Sequence, residues 1–207
     1  MAKKKIVYGT GCIESVLDGT EYQFKERSIR IPSEYSYIGA MPPVLNQGNT
    51  VKCVCYSLCS YLDWKKNTYE GDNNGGQYSI DDLFEIREDK HAPGMQIKEA
   101  LRYLKHTGLG GTKIKEYAMV GSVIQAKQAI LINGPLVGGL PVYSNHQDDT
   151  FWIEGGRFLG GHCITIVGYN KDGFVIRNSW GDKWCNKGHV LLPYTDFSNF
   201  FEVWTMI

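Results

Sequence analysis

The hydrophobic period of the chain changes once, at Pro135, and that break constrains the fold more than any other feature. Before it, apolar residues recur every three or four positions. Val54, Leu58 and Leu62 form one row, with Cys55 and Cys59 beside them, so this helix is apolar nearly all round and must be buried. Ile97, Ala100, Leu101 and Leu104 form a second stripe, stopped by Gly108 as a left-handed residue. Ser79, followed by Asp81 and Asp82, reads as a helix start, and Ser122-Val123-Ile124-Gln125 as a capping box for a helix that Asn133-Gly134-Pro135 ends. After Pro135 come short β-branched and aromatic runs at 136–142, 163–169, 174–177, 190–192 and 200–206, with Asp172-Gly173 marking a hairpin. Helices first and an antiparallel sheet second define an α+β chain. Gly71 to Gly76 reads as a loop between helices, and no internal repeat or low-complexity linker divides the sequence.

Composition excludes several classes. With 207 residues, 43% apolar and 21% charged, the chain can bury an ordinary core. Lys plus Arg and Asp plus Glu both number 22, so no net field draws it to nucleic acid or an anionic membrane. Lys3, Lys4 and Lys5 precede no apolar run of signal-peptide length and read as a solvated tail; no stretch reaches a membrane span, and a cytoplasmic setting is expected. The six cysteines, Cys12, Cys53, Cys55, Cys59, Cys163 and Cys185, are expected to be reduced thiols, and their spacing makes zinc a weak alternative. No metal or cofactor is expected.

Three segments carry chemistry. Gln47-Gly48-Asn49-Thr50-Val51-Lys52 is a polar loop running into the buried helix with Cys53 at the junction, where free N–H groups and the helix dipole favour thiolate. His162 opens the strand 163–167, and Asn178 ends the strand 174–177. A hairpin centred near Asn170 and Lys171 makes His162 and Asn178 cross-strand neighbours, with Cβ atoms about 5 Å apart. An amide oxygen beside one imidazole nitrogen fixes which tautomer faces a nucleophile. His91, His106, His146 and His189 have no comparable setting and read as ordinary structural histidines.

These segments resemble the papain-like cysteine peptidases. Gln47 six residues before Cys53, then Tyr56 and Ser57, resemble the nucleophile segment of that family. Gly161-His162-Cys163-Ile164-Thr165-Ile166-Val167-Gly168-Tyr169 is similar to its histidine strand, and Asn178-Ser179-Trp180-Gly181, with Trp184 and Gly188, to its asparagine motif. The similarity runs over about residues 30–207; the stretch from Gly11 to Phe24 is similar to the short extensions of bacterial members, and a viral origin is open. It implies a two-lobe papain-like fold in a single domain spanning 1–207, with an N-terminal extension over 1–30, a helical lobe over about 46–120, a β lobe over about 121–207 and the active site between the lobes.

It also implies roles. Cys53 would attack a peptide carbonyl, His162 would hold the ion-pair proton and pass it to the leaving amine, Asn178 would orient His162, and Gln47 with the Cys53 backbone N–H would donate to the oxyanion. Trp180 would shield the His162–Asn178 bond. Gly94, Met95, Gly139, Gly161 and Cys163 would line the substrate side, with Gly139 leaving a roomy, uncharged pocket for large apolar residues. The implied partner is a protein or peptide substrate. An exopeptidase or amidase with the same Cys-His pair, or a catalytically silent peptide-binding protein, are the competing readings. Lys52, Val54, Cys55 and Cys185 depart from the family pattern; Lys52 is expected to point to solvent, and Cys185 takes a usual glycine position. The opening segment 1–30, with Val7, Tyr8, Ile13, Val16, Tyr22 and Phe24, is expected to be a strand packed on the sheet or a strap near the cleft, packing being favoured.

Overall fold

The computed structural model describes residues 8–70, 78–147 and 152–207. The Lys3–Lys5 tail, Val7 and the loop from Gly71 to Gly76 therefore lie outside the described residues. Short strands β1 (Cys12–Ile13) and β2 (Tyr35–Ser36) precede α1 (Cys53–Glu70) and α2 (Ile80–Glu85); β3 (Met95–Gln96), α3 (Ile97–His106), β4 (Tyr117–Met119) and α4 (Val123–Asn133) follow. The remaining strands are β5 (Leu136–Tyr143), β6 (Phe158–Tyr169), β7 (Gly173–Arg177), β8 (His189–Pro193) and β9 (Glu202–Met206).

The helix starts form as the side chains dictate. Ser79 Oγ accepts from Asp82 N at 3.1 Å and Ser122 Oγ from Gln125 N at 3.1 Å. The Gln125 amide reaches back one residue further than a capping box requires, accepting from Gly121 N at 2.8 Å. Gly108 holds φ at +85°, as a left-handed stop must.

The main sheet runs β4-β9-β5-β6-β7-β8, with β2 added to β6, and every pairing in it is antiparallel. Two stretches before residue 121 thus join the sheet, so its boundary with the helical half is not a single point in sequence. β6 also begins at Phe158, earlier than its apolar run shows, because it pairs with β5 out to Tyr143. One core gathers α1, α2 and α3 against Val137, Cys163, Trp204 and Met206; a second lies within the sheet and under α4. α1 is locked onto β6 by Ser57 Oγ donating to Cys163 O at 3.0 Å and Thr165 Oγ1 to Ser57 O at 3.4 Å. That docking sets the start of α1 beside the strand carrying His162.

The opening segment does both things considered for it. Phe24 is buried and its N–H donates to Met119 O at 2.8 Å, which packs this part on β4. Val16 and Tyr22 are exposed, contrary to the expectation that its apolar residues are covered. Residues 9–15 instead cross the face between the two cores.

Candidate active site

Cys53 is the first residue of α1 and is completely buried. Helix position alone favours thiolate, but here burial wins: it pushes the thiol far above its ordinary range, helped by the neighbouring Cys163, while the Cys163 and Val54 backbone groups oppose it. The expectation of a lowered Cys53 pKa is therefore overturned for this closed arrangement. Lys52 is not simply solvated either. Its ammonium pairs with Asp81 at the start of α2 and lies 5.2 Å from the Phe84 ring centroid. Cys185 holds φ at +44°, the left-handed region that the usual glycine would occupy without strain.

His162 Nε2 lies 2.8 Å from Asn178 Oδ1, which also accepts from Ser179 N at 2.8 Å. Accepting from a backbone N–H identifies this atom as the amide oxygen, so His162 must donate from Nε2 and keep Nδ1 as a bare acceptor. Nδ1 is buried with no hydrogen-bond partner. The strand register differs from the straight count: Thr165 faces Arg177 and Tyr169 faces Phe174, with a bulge between Ile166 and Gly168. Continuing that register puts Asn178 opposite Ile164, so His162 is its diagonal neighbour on the same face and the two side chains span the offset.

Burial lowers the His162 pKa to about 4, the Asn178 hydrogen bond opposes this, and His146 adds to it. The aromatic surroundings account for the burial. Trp180 stacks on the imidazole at 4.8 Å, and Trp152 lies parallel to it at 6.1 Å. His146, which had no role in the sequence, packs at a tilt against Trp152, with ring centroids 4.3 Å apart.

Gln47 is held by the residue after Asn178. Ser179 Oγ donates to Gln47 Oε1 at 2.6 Å, and Gln47 N donates to Ser179 O at 2.8 Å. The Gln47 amide then donates to Thr50 O at 2.8 Å and to Gly9 O at 3.1 Å. The second acceptor belongs to the N-terminal strap. Gly9 N donates to Gly48 O at 3.0 Å, Gly11 N to Gly161 O at 2.9 Å and Met95 N to Gly11 O at 2.9 Å; Cys12 then pairs in parallel with Met95. This close passage depends on glycine. A Cβ on Gly9 would lie 1.9 Å from Thr50 O, and one on Gly11 would lie 2.2 Å from Val51 O.

The residues expected on the substrate side all meet this strap. Gly94 faces Gly11 O, Met95 pairs with Cys12, and Gly161 faces Cys12 O. Gly139 lies against the Cys12 thiol, Cys163 neighbours the same thiol, and Trp180 stacks with Tyr8 at 4.8 Å. The space over Gly139 is not roomy: its missing Cβ would lie 2.3 Å from Phe201 Cε2 and 3.0 Å from Cys12 Sγ. Nor do the surroundings lack an ionisable group. Glu202 is buried with its pKa raised by desolvation, and accepts from Ser15 N at 3.1 Å, Ser15 Oγ at 2.9 Å and Trp204 Nε1 at 2.6 Å. Sequence reading missed Cys12, Ser15, Trp152, Phe201 and Glu202. The one available signal was Glu202 as the lone acid in the apolar run 200–206.

His162, Asn178 and Gln47 are thus linked through Ser179, and Cys53 adjoins Cys163, the residue after His162. The family model for papain family cysteine proteases matches residues 103–198, which include His162 and Asn178 but not Gln47 or Cys53. Cathepsin B-like cysteine proteinase 3 of Ostertagia ostertagi is 33% identical over 79 residues, 35% of this chain and 45% of the relative. Cysteine proteinase 3 of Entamoeba histolytica is 26% identical over 197 residues, 78% of this chain and 62% of the relative. The chain therefore spans less than two thirds of the length of these curated relatives. In fold, it superposes on xylellain, a cysteine protease from Xylella fastidiosa, with a TM-score of 0.82 at 19% identity, covering 100% of this chain and 98% of that one. Procathepsin B S9 from Trypanosoma congolense follows at a TM-score of 0.79 and 14% identity, with 96% and 87% covered. Residues 103–198 are thus similar to the papain family cysteine proteases, and the chain as a whole has the fold of these solved cysteine proteases.

Proposed function

We propose that this chain is a cysteine-type endopeptidase that hydrolyses peptide bonds in protein or peptide substrates through an acyl-enzyme on Cys53. The observation that carries this reading is the His162–Asn178 bond of 2.8 Å, which commits Nε2 and leaves Nδ1 as a bare acceptor on the residue preceding Cys163, the neighbour of Cys53. His162 Nδ1 takes the thiol proton, the sulfur attacks the substrate carbonyl, and the Gln47 amide with the Cys53 N–H stabilises the oxyanion. His162 then protonates the leaving amine, and water resolves the thioester with His162 again as base. Gln47 supports the oxyanion role by already donating to a peptide carbonyl, that of Gly9.

Substrate and strap cannot share the cleft, because Gly9 O occupies the Gln47 amide and Gly11 the backbone of Met95. Turnover therefore follows displacement of residues 9–15. In the closed arrangement thiol and imidazole are both neutral; readmitting water on opening removes the desolvation that holds them so. The test is hydrolysis of a fluorogenic peptide library by the purified chain and by Cys53→Ala. Activity that disappears in Cys53→Ala supports the reading, and a variant as active as the parent overturns it.

A further inference from the structure

We propose that Cys12 and Cys163 form a redox modification site: a reversible disulfide between them staples the N-terminal strap into the cleft and keeps Cys53 covered. The consequence for activity rests on the peptidase reading above, whereas the bond itself does not.

The geometry points to this pair. Gly139 and Cys163 lie directly opposite one another on β5 and β6, so their Cβ positions project from the same face of the strand pair. Gly139 presents only hydrogen there, and the Cys12 sulfur fills the vacancy, 3.0 Å from where a Cβ would stand. The Cys12 backbone is held alongside, because Gly11 N donates to Gly161 O at 2.9 Å, two residues before Cys163. Both cysteines are free and buried. Burial makes the Cys12 thiol hard to ionise; the adjoining Cys163 thiol adds to this, and Cys53 contributes less. The closed Cys12 thiol is thus a poor nucleophile, and exchange begins when the strap swings out and water reaches it.

The oxidant is a low-molecular-weight disulfide such as glutathione disulfide. The thiolate of one cysteine attacks it, forming a mixed disulfide and releasing one small thiol. On reclosure the second cysteine attacks the protein sulfur of that mixed disulfide and releases the second small thiol. Both protein sulfurs are oxidised, the small disulfide is reduced to two thiols, and these carry away the two protons. A small dithiol reverses the sequence. The strap otherwise holds through noncovalent contacts alone, among them backbone bonds, the Gln47 amide on Gly9 O and the Ser15–Glu202 hydrogen bonds, so a covalent bond at its centre separates an openable cleft from a closed one.

The test uses the full chain. It is equilibrated with excess glutathione disulfide, blocked with N-ethylmaleimide and digested with trypsin without reduction. Mass spectrometry is expected to show the peptides 6–25 and 158–171 joined, at their summed mass less two hydrogens, and separated again by dithiothreitol. Cys12→Ser should give no joined peptide, with Cys163 recovered carrying glutathione or maleimide. In parallel, labelling of Cys53 by an epoxysuccinyl peptide should be lost in the oxidised chain and return on reduction. Recovery of Cys12 unlinked, or linked to any other cysteine, overturns the proposal, as does a linked chain that still labels at Cys53. A linked chain whose reduced form also fails to label counts against the peptidase reading and leaves the bond standing.

Discussion

His162 carries both the chemistry and a stability cost. Its pKa near 4 lies below the ordinary 6.5, so between these values the unfolded chain binds a proton that the folded chain refuses. Folding stability therefore rises with pH from about 4 to 6.5 and is level above, and the full shift is worth about 3 kcal/mol. Urea unfolding of the parent and of His162→Gln at pH 7 and pH 5 checks this: the parent should lose stability between the two, and the variant should lose distinctly less. Asn178 acts on the reaction only through His162, so Asn178→Ala should lower kcat by less than removal of His162 does. General acid–base assistance is worth about 10²- to 10⁴-fold. Peptide hydrolysis by the two variants decides the order, and equal losses would show that Asn178 does more than orient the base.

At the scale of elements, the strap decides the state of the site. Two glycines let it approach the loop before α1, so a side chain at Gly11 should expel it without touching the machinery; the Cβ would stand 2.2 Å from a backbone oxygen that cannot retreat freely. Gly11→Val is expected to lower the pH at which Cys53 is alkylated by iodoacetamide and to raise the rate, because burial is the largest cause holding that thiol protonated. An unchanged pH profile would show that something other than the strap desolvates Cys53. How legible these elements were in the sequence follows from the range of the forces involved. The helices were readable at Ser79, Ser122 and Gly108 because caps and stops are local chemistry. The His162–Asn178 register was misjudged because the turn centres between Lys171 and Asp172, with Tyr169 facing Phe174, rather than near Asn170 and Lys171; the bulge recovers one residue of that offset. The strap was readable only as apolar content, since its place depends on glycines whose use is to let a distant backbone come close.

Across the whole molecule, the start of α1 brings Cys53 against Cys163 of β6, the residue after His162, which is why motifs far apart in sequence come together. The order of the motifs was legible, as was the change from helix to sheet at Pro135. The contents of the pocket were not: Glu202 reaches it from the last strand, Phe201 from just before that strand and Cys12 from the first, long-range placements that no local pattern encodes. The expected apolar preference of that pocket consequently has to contend with a buried carboxylate beneath it. The central claim, that Cys53 is the nucleophile of a papain-like peptidase held shut by its own N-terminal strap, is tested most directly by an epoxysuccinyl peptide inhibitor and mass spectrometry on the reduced parent and on Gly11→Val. The account predicts a single adduct, on Cys53, forming faster in Gly11→Val than in the parent. An adduct on another cysteine, or none on a folded Gly11→Val chain, would contradict it.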